Sequence, residues 1–499
     1  MQDQQTGAAD LTVATRCGPI AGAMAGSGVR VFKGIPYAAP PVGALRWRAP
    51  RPPAPWRGVR PALEFGPDCP QSADVGSRSK TRSEDCLYLN VWAPAGAAPG
   101  SLPVMVWVHG GSFMFGSGAE ARLDGTRLAA MGVVAVTINY RVGLFGYLAH
   151  PALSRESEHG VSGNYGLLDQ IAAFGWIRDN IAAFGGDPSR VTAFGVSAGS
   201  ASLSLLLASP LGGGLFQQTI LESAGAGRRL ASLADAEAAG TVLGTDIDAL
   251  RALPADEVLA KTSLLSPKVR GLTLPRVLRP IRDGWLLPED ERPVFKQGRL
   301  HAMPTIVGSN VDEGSRFTSA WPIDTPEKYR DLLDANFPGM TGQAMAVYPP
   351  DAGGGVPARV GEIFADTQFN YGTRLLARSM AAAGQPTWRY LFARRRPKQT
   401  TGPHHVQEVP YVFGNLDDIR PDDDPEYDAT DMAVSKAIMD AWVAFARTGN
   451  PNAPGLARWP AYDAAADCYL EFGNTPAARA GWRTQALDFL DAYYDSLGA

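Results

Sequence analysis

The sequence predicts an α/β fold built on a large, mostly parallel, doubly wound sheet. Three observations carry that prediction. Residues 104–109 (VMVWVH) and 133–140 (VVAVTINY) are short apolar runs followed by Gly or Arg, the pattern of strands buried on both faces. Residues 167–180 have the length and apolar spacing of a helix. Residues 191–195 read as a further strand that runs straight into a helical stretch over 198–207. Strands alternating with helices make a parallel sheet covered on both faces, with its active site outside the carboxyl ends of the strands.

The 499 residues would allow three domains at roughly 150 residues each. No repeat period and no Ser/Gly linker divides them, so one domain over residues 1–499 is expected. Hydrophobic residues are 45% and charged residues 19%, with a net charge of −4, which excludes a disordered chain or a fibrous rod. A mildly acidic chain without a basic stripe has no electrostatic footprint for nucleic acid. No uninterrupted apolar run of about 18 residues is present to span a membrane. The first residues lack the basic and apolar regions of a signal peptide. Four cysteines, Cys17, Cys69, Cys86 and Cys468, are too few for a disulfide scaffold and lack metal-ligand spacing, so zinc is not expected. The unusual entries in the composition are 55 glycines and 40 prolines, which imply many shaped turns.

Some of those glycines fall where chemistry needs them. Gly195-Val196-Ser197-Ala198-Gly199, at the end of the 191–195 strand, is a G-x-S-x-G pattern. Its glycines let the chain turn sharply from strand to helix and lift the Ser197 hydroxyl clear of the sheet beside the Ala198 amide. Chance matches are common in so glycine-rich a chain, and the strand-turn-helix context is what gives this one weight. His109-Gly110-Gly111-Ser112-Phe113 ends an earlier strand, where its amides can approach a reacting carbonyl and bind an oxyanion. A serine nucleophile needs a base, and the base needs a carboxylate. In chain order after Ser197 the histidines are His301, His404 and His405, and Asp312 and Glu313 follow the apolar pair Ile306-Val307. Spacing does not choose between the two acids. Adjacent histidines in an extended segment point to opposite faces, so one of His404 and His405 can reach Ser197.

At this point the chain resembles the type B carboxylesterase and cholinesterase family of α/β-hydrolases. The resemblance runs almost end to end. It includes Phe32-Lys33-Gly34-Ile35-Pro36-Tyr37-Ala38, Ser83-Glu84-Asp85-Cys86-Leu87-Tyr88-Leu89-Asn90-Val91, Gly163-Asn164-Tyr165-Gly166, Phe184-Gly185-Gly186-Asp187-Pro188 and Phe445-Ala446-Arg447-Thr448-Gly449-Asn450-Pro451-Asn452. It implies an α/β-hydrolase fold with long insertions around an active-site gorge, and a serine esterase that needs neither cofactor nor metal. The family's acid maps onto Glu313, with Asp312 as a supporting neighbour. Its base lies eight residues before the Phe of Pro410-Tyr411-Val412-Phe413-Gly414 and maps onto His405, leaving His404 as a flanking residue. The oxyanion donors carried over are the amides of Gly111, Ser112 and Ala198. The resemblance also implies a Cys69–Cys86 disulfide, which favours a periplasmic or secreted enzyme whose leader is absent here over a cytoplasmic one.

Departures from the family pattern bear on the substrate. The Glu that usually precedes the nucleophile is Val196, so deacylation is expected to rely on other groups, Ser223 among them. No Trp lies between Cys69 and Cys86 to hold a quaternary ammonium by cation–π attraction, which argues against choline esters. That loop carries Arg78, Lys80 and Arg82 instead. Arg276 stands where cholinesterases place an aromatic acyl-pocket wall, and Arg228 and Arg229 follow Ser223. Arginine forks bind carboxylates bidentately, so these three are expected to bind acyl groups that carry free carboxylates. Branches of the family act on such compounds, one removing tricarballylic acid from fumonisin mycotoxins and another cleaving phthalate esters. The alternatives are a general esterase for neutral short-chain or aryl esters and a non-catalytic binding protein, a class whose members typically lack part of the triad retained here. Oligomeric state is not legible.

Overall fold

Eleven strands hydrogen-bond into one sheet in the computed structural model of the protein, which describes residues 11–266, 271–416 and 427–498. In chain order they are β1 (Ala23–Met24), β2 (Val29–Pro36), β3 (Tyr88–Pro94), β4 (Leu102–Val108), β5 (Val134–Ile138), β6 (Gly186–Val196), β7 (Gln218–Glu222), β8 (Thr305–Asn310), β9 (Thr387–Phe392), β10 (Cys468–Phe472) and β11 (Ala477–Ala480). Their spatial order is 11-10-9-8-7-6-4-5-3-2-1. The run from β10 to β5 is parallel throughout, and antiparallel strands close both ends. This is the expected α/β-hydrolase sheet.

Alternation along β4 shows how two cores form. Val104, Val106 and Val108 pack on one face with Ile177, Leu203 and Leu206, while Met105 and Trp107 pack on the other with Phe413, Trp442 and Val443. The first group belongs to helices α1 (Tyr165–Asn180) and α2 (Ala198–Ala208), and the second includes α3 (Ala429–Thr448). Apolar side chains thus leave the strand both ways, and a helix must cover each face. The expected strand over 133–140 ends earlier, at Ile138. The expected helix over 167–180 begins at Tyr165, and the strand expected over 191–195 extends from Gly186 to Val196.

Register brings the functional segments to one edge. Val108 pairs with Gly195, Val196 with Glu222, and Glu222 with Gly308, so the loops after β4, β6, β7 and β8 leave the sheet side by side. Cys69 and Cys86 form a disulfide with Cα atoms 5.0 Å apart. Among the described residues no helix is long and apolar enough to cross a membrane.

Candidate active site

Ser197 sits between β6 and α2 with φ 57° and ψ −117°, a conformation side chains rarely adopt. Two contacts impose it. The Ser197 amide donates to Glu222 O at 2.9 Å, and the flanking glycines press the turn against β4. A Cβ on Gly195 or Gly199 would stand 2.5 or 2.0 Å from Val108 O, so neither position accepts a side chain. Ala198 opens α2, where the first amides of a helix have no partner within it.

The segment after β4 is bent by three consecutive positive φ angles, 117° at Gly111, 57° at Ser112 and 66° at Phe113. Gly111 is fixed by space as well, because a Cβ there would lie 1.9 Å from Phe115 O. Ser112 therefore holds a left-handed conformation despite its side chain, and Gly143 N anchors the bend by donating to Phe113 O at 2.7 Å. Ser112, Phe113, Ser197 and Ala198 wall a common cavity.

Glu313 and His405 meet across two loops. The loop after β8 and the histidine loop are stitched together by Asp312 N donating to Pro403 O at 3.0 Å and Asn310 Nδ2 donating to His404 O at 2.7 Å. His405 Nδ1 then lies 2.5 Å from Glu313 Oε2. Glu313 is 1% exposed, and its other oxygen accepts from Ser223 Oγ and Asn310 N, both at 2.6 Å. His405 Nε2 is buried and has no hydrogen-bond partner among the described residues. The His405 ring packs on Phe369 and Phe317, with centroids 4.3 and 5.1 Å away, and both phenylalanines wall the Ser197 cavity. The neighbouring pair is separate: His404 Nδ1 lies 3.1 Å from Asp312 Oδ2. Burial raises the Asp312 carboxyl, but hydrogen bonds from His404 and Ser315 outweigh it and hold the group down at about 2.

Ser223, expected to serve deacylation, lies within hydrogen-bond reach of the acid. It donates to Glu313 and so supports the acid. Behind Glu313 and His405 lie two further carboxyls that motif reading passed over. Glu222 Oε1 accepts from Trp442 Nε1 at 3.0 Å, Glu408 Oε2 accepts from Asn310 Nδ2, and Glu222 Oε2 and Glu408 Oε1 are buried without a partner among the described residues. Burial, and then the nearby Glu408, push Glu222 well up. Burial and the charge of Glu313 push Glu408 up to about 7. Glu408 stands three residues after His405, a spacing that could have marked it.

Arg228 and Arg276 wall the Ser197 cavity together with Arg279, which sequence reading missed although it follows Arg276 by three residues. The Arg279 guanidinium lies 5.2 Å from the Phe113 ring centroid. Arg229 does not reach this cavity; it lines an adjoining one shared with Arg228, Arg276 and Arg279. Gly111 immediately precedes Ser112 in the bend that walls the Ser197 cavity. The basic residues of the Cys69–Cys86 loop are engaged elsewhere, Arg78 with Asp124, Lys80 with Glu64, and Arg82 with the carbonyls of Gln71 and Ala73.

A sequence model described as the carboxylesterase family matches residues 9–490. The chain is 43% identical over 446 residues to the fumonisin B1 esterase of Sphingopyxis macrogoltabida, covering 87% of this chain and 82% of that protein. It is 38% identical over 468 residues to the para-nitrobenzyl esterase of Bacillus subtilis (strain 168), covering 90% and 92%. A solved PNB esterase superposes with a TM-score of 0.85 at 34% identity, over 96% of this chain and 99% of that one. A carboxylesterase of Geobacillus stearothermophilus gives 0.84 at 35% identity, over 95% and 99%.

Proposed function

The chain belongs to the carboxylesterase family and is a carboxylic ester hydrolase of the serine type, and from that premise we propose that Ser197, His405 and Glu313 carry the reaction. His405 Nε2 takes the Ser197 proton as Oγ attacks the ester carbonyl. The amides of Gly111, Ser112 and Ala198 hold the tetrahedral oxyanion, where donors aimed at developing charge contribute most. Collapse expels the alkoxide, which receives the proton from His405. Water then attacks the acyl-enzyme, His405 accepts its proton and returns it to Ser197, and the acid leaves. Glu313 fixes the tautomer with Nδ1 protonated and balances the imidazolium charge. The observation that supports this reading most is the 2.5 Å His405–Glu313 contact beside phenylalanines that wall the Ser197 cavity.

The preferred substrates are esters whose acyl part carries free carboxylates, as tricarballylate esters of fumonisin do. Three arginines in the cavity of the nucleophile support it, because guanidinium forks pair with carboxylates at close to twice the strength of neutral hydrogen bonds. Phe317, Phe364 and Phe369 line the same cavity and favour a second reading, neutral aryl or short-chain esters. Arg276→Ala tested on esters paired for size, neutral against carboxylate-bearing, separates the two. The first reading expects kcat/KM for the charged ester to fall roughly tenfold or more, the worth of one charge-assisted bond, with a smaller effect on the neutral one. Equal losses on both esters would contradict it. The Cys69–Cys86 disulfide supports work in an oxidising compartment, periplasmic or extracellular.

A further inference from the structure

Gln368 occupies a π-helical turn, Asp366–Asn370, set between the helices Gly355–Ala365 and Tyr371–Ala382. Single π turns inside α-helices recur at functional positions. The side chain delivered here is an amide, 3% exposed, with both ends committed. Nε2 donates to Leu272 O at 2.7 Å, which fixes the orientation of the amide. Oε1 accepts from Arg276 Nη2 at 2.7 Å and also from Arg228 Nη1. One neutral oxygen therefore ties together two guanidiniums that wall the cavity of Ser197.

The neutrality matters. A carboxylate at this position would form two ion pairs and cancel much of the positive field, whereas an amide oxygen orders the guanidiniums and leaves their charge in place. Other charged groups bear on the same space, Arg229 among them on the adjoining cavity. Arg279 adds a third positive charge to the cavity. Glu291 lines the adjoining cavity, and its oxygens accept from Ser204 Oγ at 2.8 Å and Gly227 N at 2.6 Å. Burial pushes the Glu291 carboxyl up to about 7 despite those donors, which reduces its opposing charge near neutrality.

We propose that Gln368 is a specificity-determining residue, a neutral bridge that holds Arg228 and Arg276 in place to receive a free carboxylate on the acyl group of the ester bound at Ser197. Pre-ordering the two long side chains before substrate arrives removes part of the ordering cost of binding. The inference rests on the carboxylate-acyl reading above and names the residue that makes it selective.

The test uses the full-length enzyme and two aryl esters of the same alcohol, one with an acyl chain ending in a free carboxylate and its twin ending in a primary amide. The wild type is expected to favour the carboxylate ester at least about tenfold in kcat/KM. Gln368→Glu should lower that ratio about tenfold or more, with the loss carried by KM of the carboxylate ester. Gln368→Met, of similar volume and without the bridging oxygen, should lower it severalfold, and this variant decides the matter if the glutamate does not fold. A wild-type ratio near one would overturn the carboxylate-acyl reading itself. A clear wild-type preference that survives in both variants would overturn the role of Gln368 and leave the reading standing.

Discussion

At the scale of single residues, the site is built by side chains that hold other side chains. Ser223 reaches no reacting atom in this account; it donates one of the hydrogen bonds that keep the Glu313 carboxylate facing His405. Removing it deletes a bond to a charged group, worth about 1.5–3 kcal/mol in general. Ser223→Ala should therefore lower kcat roughly tenfold and leave KM nearly unchanged. In the proposed mechanism Glu313 serves both halves of the reaction, so acylation and deacylation should slow together, and stopped-flow traces should gain no new burst of alcohol release. A new burst would show instead that Ser223 acts in deacylation. Ser112 illustrates a different economy. Its φ of 57° is strained for a residue with a Cβ, yet the bend it completes turns the segment toward the Ser197 cavity.

At the scale of elements, the ends of β6, β7 and β8 carry Val196, Glu222 and Asn310, and the carboxyl absent before the nucleophile is present one strand over, at Glu222. It shares a buried region with Glu408, whose neighbours include Glu313, His405 and Asn310. The sign of the resulting pH dependence follows from burial. Glu408 is raised from the ordinary range near 4.5 to about 7, so its contribution to stability is complete below its unfolded value and is lost as pH rises through about 7. Glu408→Gln is neutral throughout. Its melting temperature relative to wild type should climb between pH 4.5 and 7 and level off above, by a few degrees; a flat difference would contradict a protonated Glu408. These elements also show what was legible beforehand. The strand and helix around Ser197 were readable because buried parallel strands are short apolar runs and the elbow needs its glycines. Glu313 and His405 were separable from Asp312 and His404 only through the family blocks around them, since local spacing treats neighbours alike. Gln368 and Glu222 gave no sequence signal, because their meaning depends on which side chains the fold brings to them, and Glu408 was marked only by standing three residues after His405.

At the scale of the whole molecule, a net charge of −4 coexists with a cavity walled by Arg228, Arg276 and Arg279. Total charge governs solubility and non-specific association, while the local field of a cleft acts on the charged ligands that reach it. The sheet makes that separation possible by gathering the loops after β4, β6, β7 and β8 at one edge. The histidine loop joins them through Asp312 and Asn310. The proposed chemistry depends on Ser197 being the nucleophile at that edge. Intact-mass spectrometry after treatment with an organophosphate, followed by peptide mapping, measures it directly. The wild type should gain a single adduct on Ser197 and lose esterase activity in proportion, and Ser197→Ala should gain none while remaining folded. An adduct on another residue that accounts for the lost activity, or esterase activity retained in Ser197→Ala, would contradict the account.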